Sequence, residues 1–264
     1  MLESARTVDE AGMIAIKRHP RAKRLSLRIT REGVAQVVAP PRATEKQIHG
    51  FVERHRGWME ARLAARPQPV RIGEGATLTV CGAPLTLRHT GKLRGVAWVE
   101  SGVRIQDPGF RETALSESWI PNPESTILWL SGPPEHLGRK AVRWLQQTAH
   151  DTALPILDAA CATLGTAHAG LRVRDLSSRW GSCTAQGVIT LNWRLVFAPP
   201  EVMRYVILHE AAHLKHMDHS PRFWSVVASL MPEYKQARHW LKTHGAELHA
   251  YGVDDAITKA KEPE

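Results

Sequence analysis

The chain has 264 residues, 43% hydrophobic and 23% charged, a composition that excludes collagen-like, coiled-coil and largely disordered proteins and fits one or two globular domains. No run approaches the ~18 consecutive apolar residues of a spanning helix, and residues 1–13 lack the basic and apolar regions of a secretory signal. Lys and Arg outnumber Asp and Glu by 35 to 26, a net charge of +9 that either favours anionic partners such as nucleic acid or serves solubility alone.

From the N-terminus, Arg24–Ile29 alternates polar and apolar residues and Val34–Val38 follows after Glu32-Gly33, which reads as a β-hairpin. Pro40-Pro41 stops it. Thr44 is the candidate N-cap of a helix to Ala65, with Ile48, Phe51, Val52, Trp58 and Leu63 near helical spacing. Short strands are expected near Ala76–Val80, Pro84–Leu87 and Gly95–Val99. The cysteines, Cys81, Cys161 and Cys183, are odd in number and far apart. They form neither a disulfide framework nor a metal knuckle, so a reducing, cytoplasmic setting is expected.

Five prolines between Asp107 and Glu135 mark a connector or insertion. The next helix runs from about Glu135 to Thr163, with Val142, Leu145, Ala149, Leu154, Ile156 and Leu157 as its apolar positions. Pro155 is expected to kink or divide it. This gives three parts: a β-rich region with one helix at 14–106, a Pro-rich connector at 107–134, and a C-terminal domain at 135–250. Leu171–Leu176 and Gly187–Trp193 read as strands, with Ser177–Cys183 as a loop between them. Pro199-Pro200 opens a helix to about His216, Ser220-Pro221 opens another, and a last helix covers about Glu233–Leu248.

The chemistry concentrates in the helix after Pro200, which carries His209-Glu210-Ala211-Ala212-His213. Residues four apart on a helix are ~40° apart around the axis and ~6 Å apart along it, so both imidazoles leave one face and can meet one cation. Glu210, rotated ~100° from His209, stands beside such an ion rather than on it. Tyr205-Val206-Ile207-Leu208 ahead of the pair buries the helix and dries the site. Catalytic zinc usually takes three protein ligands and leaves one position open. His219, six residues past His213, is the leading third ligand if a turn after His216 brings it back; Asp218, His216, Glu233 and His239 are the rivals. The spacing resembles that of metzincins, with His216 where their glycine stands. His239, His244 and His249, five apart, form no clean face and read as a solvated surface.

Arg179-Trp180-Gly181-Ser182-Cys183, Ile189-Thr190-Leu191-Asn192, Tyr205 through Leu214, and Asp218-His219-Ser220-Pro221-Arg222-Phe223-Trp224 together resemble the YgjP-like metal-dependent hydrolases, bacterial relatives of the SprT and WLM zinc metallopeptidases. The resemblance runs from about Arg172 to Leu241, and the N-terminal hairpin and helix share it. It implies an α+β architecture: a zincin-like catalytic domain, with a small antiparallel or mixed sheet and an HExxH helix, preceded by a β-rich region. It also implies an edge strand above the active-site helix that pairs with an extended peptide. Gly187–Asn192 is the candidate strand, making Ile189, Leu191 and Asn192 candidate substrate-binding residues. Trp180 is read as packing beneath the helix, Cys183 as structural, and Phe223 and Trp224 as packing under the third ligand.

The expected activity is zinc-dependent hydrolysis of peptide bonds in a peptide or protein substrate. Zn²⁺ on His209, His213 and His219 lowers the pKa of water from 15.7 toward ~7, and Glu210 takes its proton and passes it to the leaving amine. Tyr205, Tyr234 and Arg179 are candidates for oxyanion stabilisation. Two other readings stay open. One is an SprT-like protease directed at DNA-bound proteins, suggested by the net charge and by Lys17, Arg18, Arg21, Lys23, Arg24, Arg28 and Arg31. The other is a non-catalytic zinc scaffold, which the presence of Glu210 disfavours.

Overall fold

Alternating sequence near the N-terminus builds the first of two units into which the chain divides, Met1–Gln68 and Pro69–Glu264. The computed structural model describes residues 7–8, 14–30, 34–65, 67–100 and 126–253. Strands β1 (Thr7–Val8), β2 (Ile14–Arg18), β3 (Ser26–Ile29) and β4 (Ala35–Ala39) form a sheet of order β1-β2-β4-β3. The expected hairpin is β3–β4, antiparallel with Leu27 opposite Val37; its turn at Glu32-Gly33 lies outside the described residues. β2 pairs in parallel with β4.

Ile14, Ile16, Ala35, Val37 and Ala39 alternate to one face and pack with Ile48, Val52 and Met59 of α1 (Glu45–Ala64). Thr44 caps α1: its hydroxyl accepts from the Gln47 N–H at 3.2 Å, and Gln47 Oε1 accepts from the Thr44 N–H at 2.9 Å, worth about 1 kcal/mol. Trp58, expected on the core face, is 49% exposed. Two turns after Val52 the helix brings Met59 rather than Trp58 back into line. Lys17 and Arg28 lie on the outer sheet face, opposite the inward isoleucines and leucines. Arg18 turns to the other side and donates to the Ala43 carbonyl at 2.7 Å and to Glu45 at 2.6 Å. The basic cluster is therefore split between faces, and Arg31 lies outside the described residues.

In the second unit, β5 (Val70–Arg71) precedes β6 (Thr77–Val80), β7 (Ala83–His89), β8 (Trp98–Glu100) and β9 (Thr126–Leu130). The last four make a sheet of order β6-β7-β9-β8. The connector expected over 107–134 thus contains an internal strand whose Leu128 and Leu130 are core residues; residues 107–125 lie outside the described set. Because β9 pairs with β7, residues 69–100 belong with the C-terminal unit, not with an N-terminal region ending at 106.

Helix α2 (Leu137–Leu164) is continuous through Pro155. Leu137, Ala141, Leu145, Ala149, Ala153, Leu157 and Cys161 recur every four residues and are buried, while Pro155 is exposed. A helix-interior proline costs about 3 kcal/mol, roughly what burying one or two leucines returns, so the stripe holds the helix together. Gly165 ends it with φ 58°, the left-handed cap a side chain resists.

Then come β10 (Gly170–Arg174), β11 (Gly181–Cys183) and β12 (Val188–Asn192), in the order β10-β12-β11. A buried 3-10 turn at Trp193–Phe197 leads to α3 (Pro200–Ala212), followed by α4 (Pro221–Leu230), α5 (Tyr234–Leu248) and β13 (Tyr251–Gly252), which pairs with β5. α3 packs on α2, α4, α5, β11 and β12, which explains its apolar residues on nearly every side. No helix among the described residues is long and apolar enough to cross a membrane.

Buried Arg194 ties the end of the chain to the loop before β11. Its Nε donates to the Tyr251 carbonyl at 2.9 Å and its Nη1 to Asp175 at 2.7 Å, with the guanidinium over the Trp193 ring. Asp175 is 46% exposed, so removing the arginine leaves a solvated carboxylate rather than a stranded one. Arg194→Met is expected to cost about 1–3 kcal/mol, read as a lower urea midpoint. An unchanged midpoint would mean these bonds contribute nothing net.

Candidate metal centre

α3 presents His209 on its last turn and His213 at its C-cap. The chain then tightens, with the Leu214 N–H on the Ala211 carbonyl and those of Lys215 and His216 on the Ala212 carbonyl. It restarts as α4, where Ser220 accepts the Phe223 N–H and Pro221 fills the first helical position. His219 lies just ahead of that cap and is swung back toward α3. One ligand atom from each of His209, His213 and His219 lies within 4.8 Å of the other two. Phe223, fully buried, packs against all three rings at 4.5–4.8 Å, and Trp224 flanks His209 and His219.

The nitrogens suit a cation. His209 Nε2 and His219 Nε2 are 3.1 Å apart; two lone pairs so placed repel unless a proton bridges them or a cation draws both. Ligands at 2.0–2.1 Å in a tetrahedral shell are about 3.3 Å apart, close to this separation. His213 donates from Nδ1 to the His216 carbonyl at 3.0 Å, which fixes the ring and leaves Nε2 free to ligate. Burial, then the charges of His213, His219 and Arg238, push His209 down to about 3. Burial also lowers His213, against the pull of its carbonyl bond. Both are thus held in the neutral form that binds metal. Three imidazoles whose ligand atoms converge in this way are a donor set that a divalent ion such as zinc fits.

The rivals for the third position are not in the cluster. Asp218 bonds to Ser220, which lowers its pKa. His216 contributes its carbonyl. Glu233 sits at the α5 N-cap and His239 is exposed on α5.

Glu210 is buried beside the ligands, and burial raises its carboxyl to about 8, opposed by Arg179. What lies over it is β11: a Cβ placed on Gly181 would come 2.5 Å from Glu210 Oε1 and 2.7 Å from its Cγ. Burial and the Glu210 charge push the Cys183 thiol up to about 11, the opposite of an activated nucleophile.

Ile189, Leu191 and Asn192, expected on an edge strand, lie on a central one. β12 is the central strand, parallel to β10 and antiparallel to β11, so its backbone is paired on both sides. Ile189 and Leu191 are 0% and 1% exposed. Asn192 is spent on structure: its Nδ2 donates to the Leu176 carbonyl at 2.8 Å, and its Oδ1 accepts from the Arg194 N–H at 3.2 Å. The outer strands are β10 and β11, and β11 falls within the stretch expected to be a loop. Trp180 anchors it from α5, not from beneath α3. Its ring stacks on His249 at 4.5 Å and lies against Gly245, and its carbonyl accepts from the Asn192 N–H. His249 and His244 are accordingly half-buried ring partners, of Trp180 and Trp240, rather than a solvated surface. Burial raises Tyr205 to about 12, and Tyr205 stacks with Tyr234 next to His209.

A mixed α/β unit with three converging histidines beside a buried carboxylate is an arrangement suited to metal-assisted hydrolysis. The chain belongs to the YgjP-like family, whose metallopeptidase-domain pattern matches residues 23–244. Among solved structures it is similar to the metallopeptidase zymogen of Pyrococcus abyssi abylysin, at 29% identity over 34% of this chain and 92% of that one, with a TM-score of 0.32. It is also similar to the zymogen of Methanocaldococcus jannaschii jannalysin, at 17% identity over 34% and 94% of the two chains, with the same TM-score. No curated protein matches it in sequence.

Proposed function

We propose that the chain is a zinc-dependent peptidase with a zincin-like centre, in which His209, His213 and His219 hold the ion and Glu210 is the general base and then the general acid. The observation that carries this reading is the convergence of the three imidazoles next to a buried carboxylate. When bound, the ion supplies Lewis acidity toward water and the scissile carbonyl.

Glu210 moves the proton. It follows His209 on α3 and lies buried under Gly181, a carboxylate beside the centre at which a bound ion would activate water. β11 supplies the substrate track. It is one of the two edge strands of its sheet and the one whose Gly181 lies against Glu210, so an extended peptide pairing with its outer edge would pass the carboxylate. This is the role first expected of Gly187–Asn192, moved one strand outward.

The test is a metal assay joined to cleavage of an unstructured protein such as casein. About one zinc per chain is expected, with cleavage lost on chelation and restored by zinc. A zinc-loaded chain that cleaves no peptide would overturn the reading. His219→Ala is expected to weaken zinc retention by at least tenfold in a competition titration with a coloured chelator, one ligand of three being gone. Unchanged affinity would return the third position to Asp218.

A further inference from the structure

We infer that Arg238 is a substrate-binding residue that takes a carboxylate, so that the peptidase prefers peptides with an acidic group close to the scissile bond. The inference rests on the peptidase reading above and adds the substrate class.

Arg238 lies on α5 with its Cζ 4.5 Å from the centre of the Trp224 ring. That ring is 5.7 Å from His209 and 5.9 Å from His219, so the guanidinium is two ring contacts from the imidazoles. At roughly 3.3 Å per residue of extended peptide, it stands within one to three residues of a bond cleaved there. Trp224 also stacks on Tyr234, at 5.5 Å, one turn before Arg238 on α5. The arginine therefore lies over a stacked aromatic pair and is held there by a cation–π contact.

Among the described residues no salt bridge or hydrogen bond involves the Arg238 side chain, and it is exposed. Neither α4 (PRFWSVVASL) nor residues 234–246 of α5 carry an Asp or Glu. The positions that would pair with it on the helix, three and four away, are Tyr234, Lys235, Leu241 and Lys242. A guanidinium held over an aromatic ring that itself touches two of the three histidines, with no ion pair among the described residues, matches a carboxylate in shape and charge. The carboxylate could belong to a Glu or Asp side chain or to a peptide C-terminus.

Binding separates this from catalysis. Fluorescein-labelled peptides of one unstructured sequence, with Glu or Gln at each central position in turn, and with a free or amidated C-terminus, are titrated by anisotropy onto zinc-loaded Glu210→Gln. An acidic member is expected to bind at least about tenfold tighter than its neutral twin. The Glu/Gln pairs and the acid/amide pair tell which carboxylate is read. Arg238→Gln in the same background is expected to bring the ratio within about twofold, and Arg238→Lys to restore part of it. Equal binding of acidic and neutral peptides, binding of neither, or a preference that survives Arg238→Gln would overturn the proposal. Preferential binding by a chain that cleaves none of these peptides would leave Arg238 standing and remove the peptidase reading. Cleavage with no preference would do the reverse.

Discussion

Glu210→Gln is expected to keep its zinc and to lose peptide hydrolysis by about 10²–10⁴-fold, the usual contribution of a positioned acid–base group. The amide has the carboxylate's size, so it fits under Gly181 as Glu210 does, and the three imidazoles are untouched. What it lacks is the ability to accept a proton. The same substitution has a signature without metal. Burial raises the Glu210 carboxyl to about 8 from an ordinary 4.5, so the folded chain favours its neutral form. The stability this contributes is fully present below about pH 4.5 and is lost as pH rises through about 8. Glutamine is neutral throughout, so metal-free Glu210→Gln should outlast the metal-free parent in urea above pH 8 and differ little from it at pH 4. Parent-level hydrolysis would remove Glu210 from the mechanism. Loss of zinc would make it a ligand instead.

The parts of this site that could be read from the sequence are the parts set by local periodicity. His209 and His213 share a helix face because 3.6 residues make a turn, and Tyr205–Leu208 announces a buried helix without any knowledge of its neighbours. Ser220-Pro221 marks a restart of helix, and the reversal that returns His219 follows from it. The unread parts depend on partners far along the chain. Gly181-Ser182-Cys183 has no strand pattern; it is a strand because β12 offers it an edge and Trp180 is anchored on α5. Ile189 and Leu191 alternate as any strand does, and alternation does not tell a central strand from an edge one. Pro155 signals a break only if the packing of the opposite face is ignored. The contact between Arg238 and Trp224 joins two helices through residues fourteen apart, with no spacing rule to announce it.

Gly181→Ala is expected to reduce hydrolysis by about 10²-fold or more while zinc stays bound. The backbone at Gly181 does not require glycine, since its φ is not in the left-handed region. The demand comes from Glu210. A methyl group there would lie 2.5 Å from Oε1, 2.7 Å from Cγ and 2.8 Å from Cδ, distances real side chains do not tolerate. Moving the carboxylate tip alone does not relieve the contact, because Cγ is engaged as well. Either the glutamate shifts as a whole, or β11 lifts from β12, where Gly181 is paired with Leu191. Both displace the proposed base from the proposed peptide-binding edge, and a misplacement of 1 Å can cost 10²-fold. Because the effect runs through Glu210, it should vanish once Glu210 is shortened. In a Glu210→Ala background the clash has no partner, and adding Gly181→Ala should cost little further activity. Parent-level hydrolysis by Gly181→Ala, or losses that simply multiply in the double variant, would show that the close approach of β11 to Glu210 has no part in catalysis.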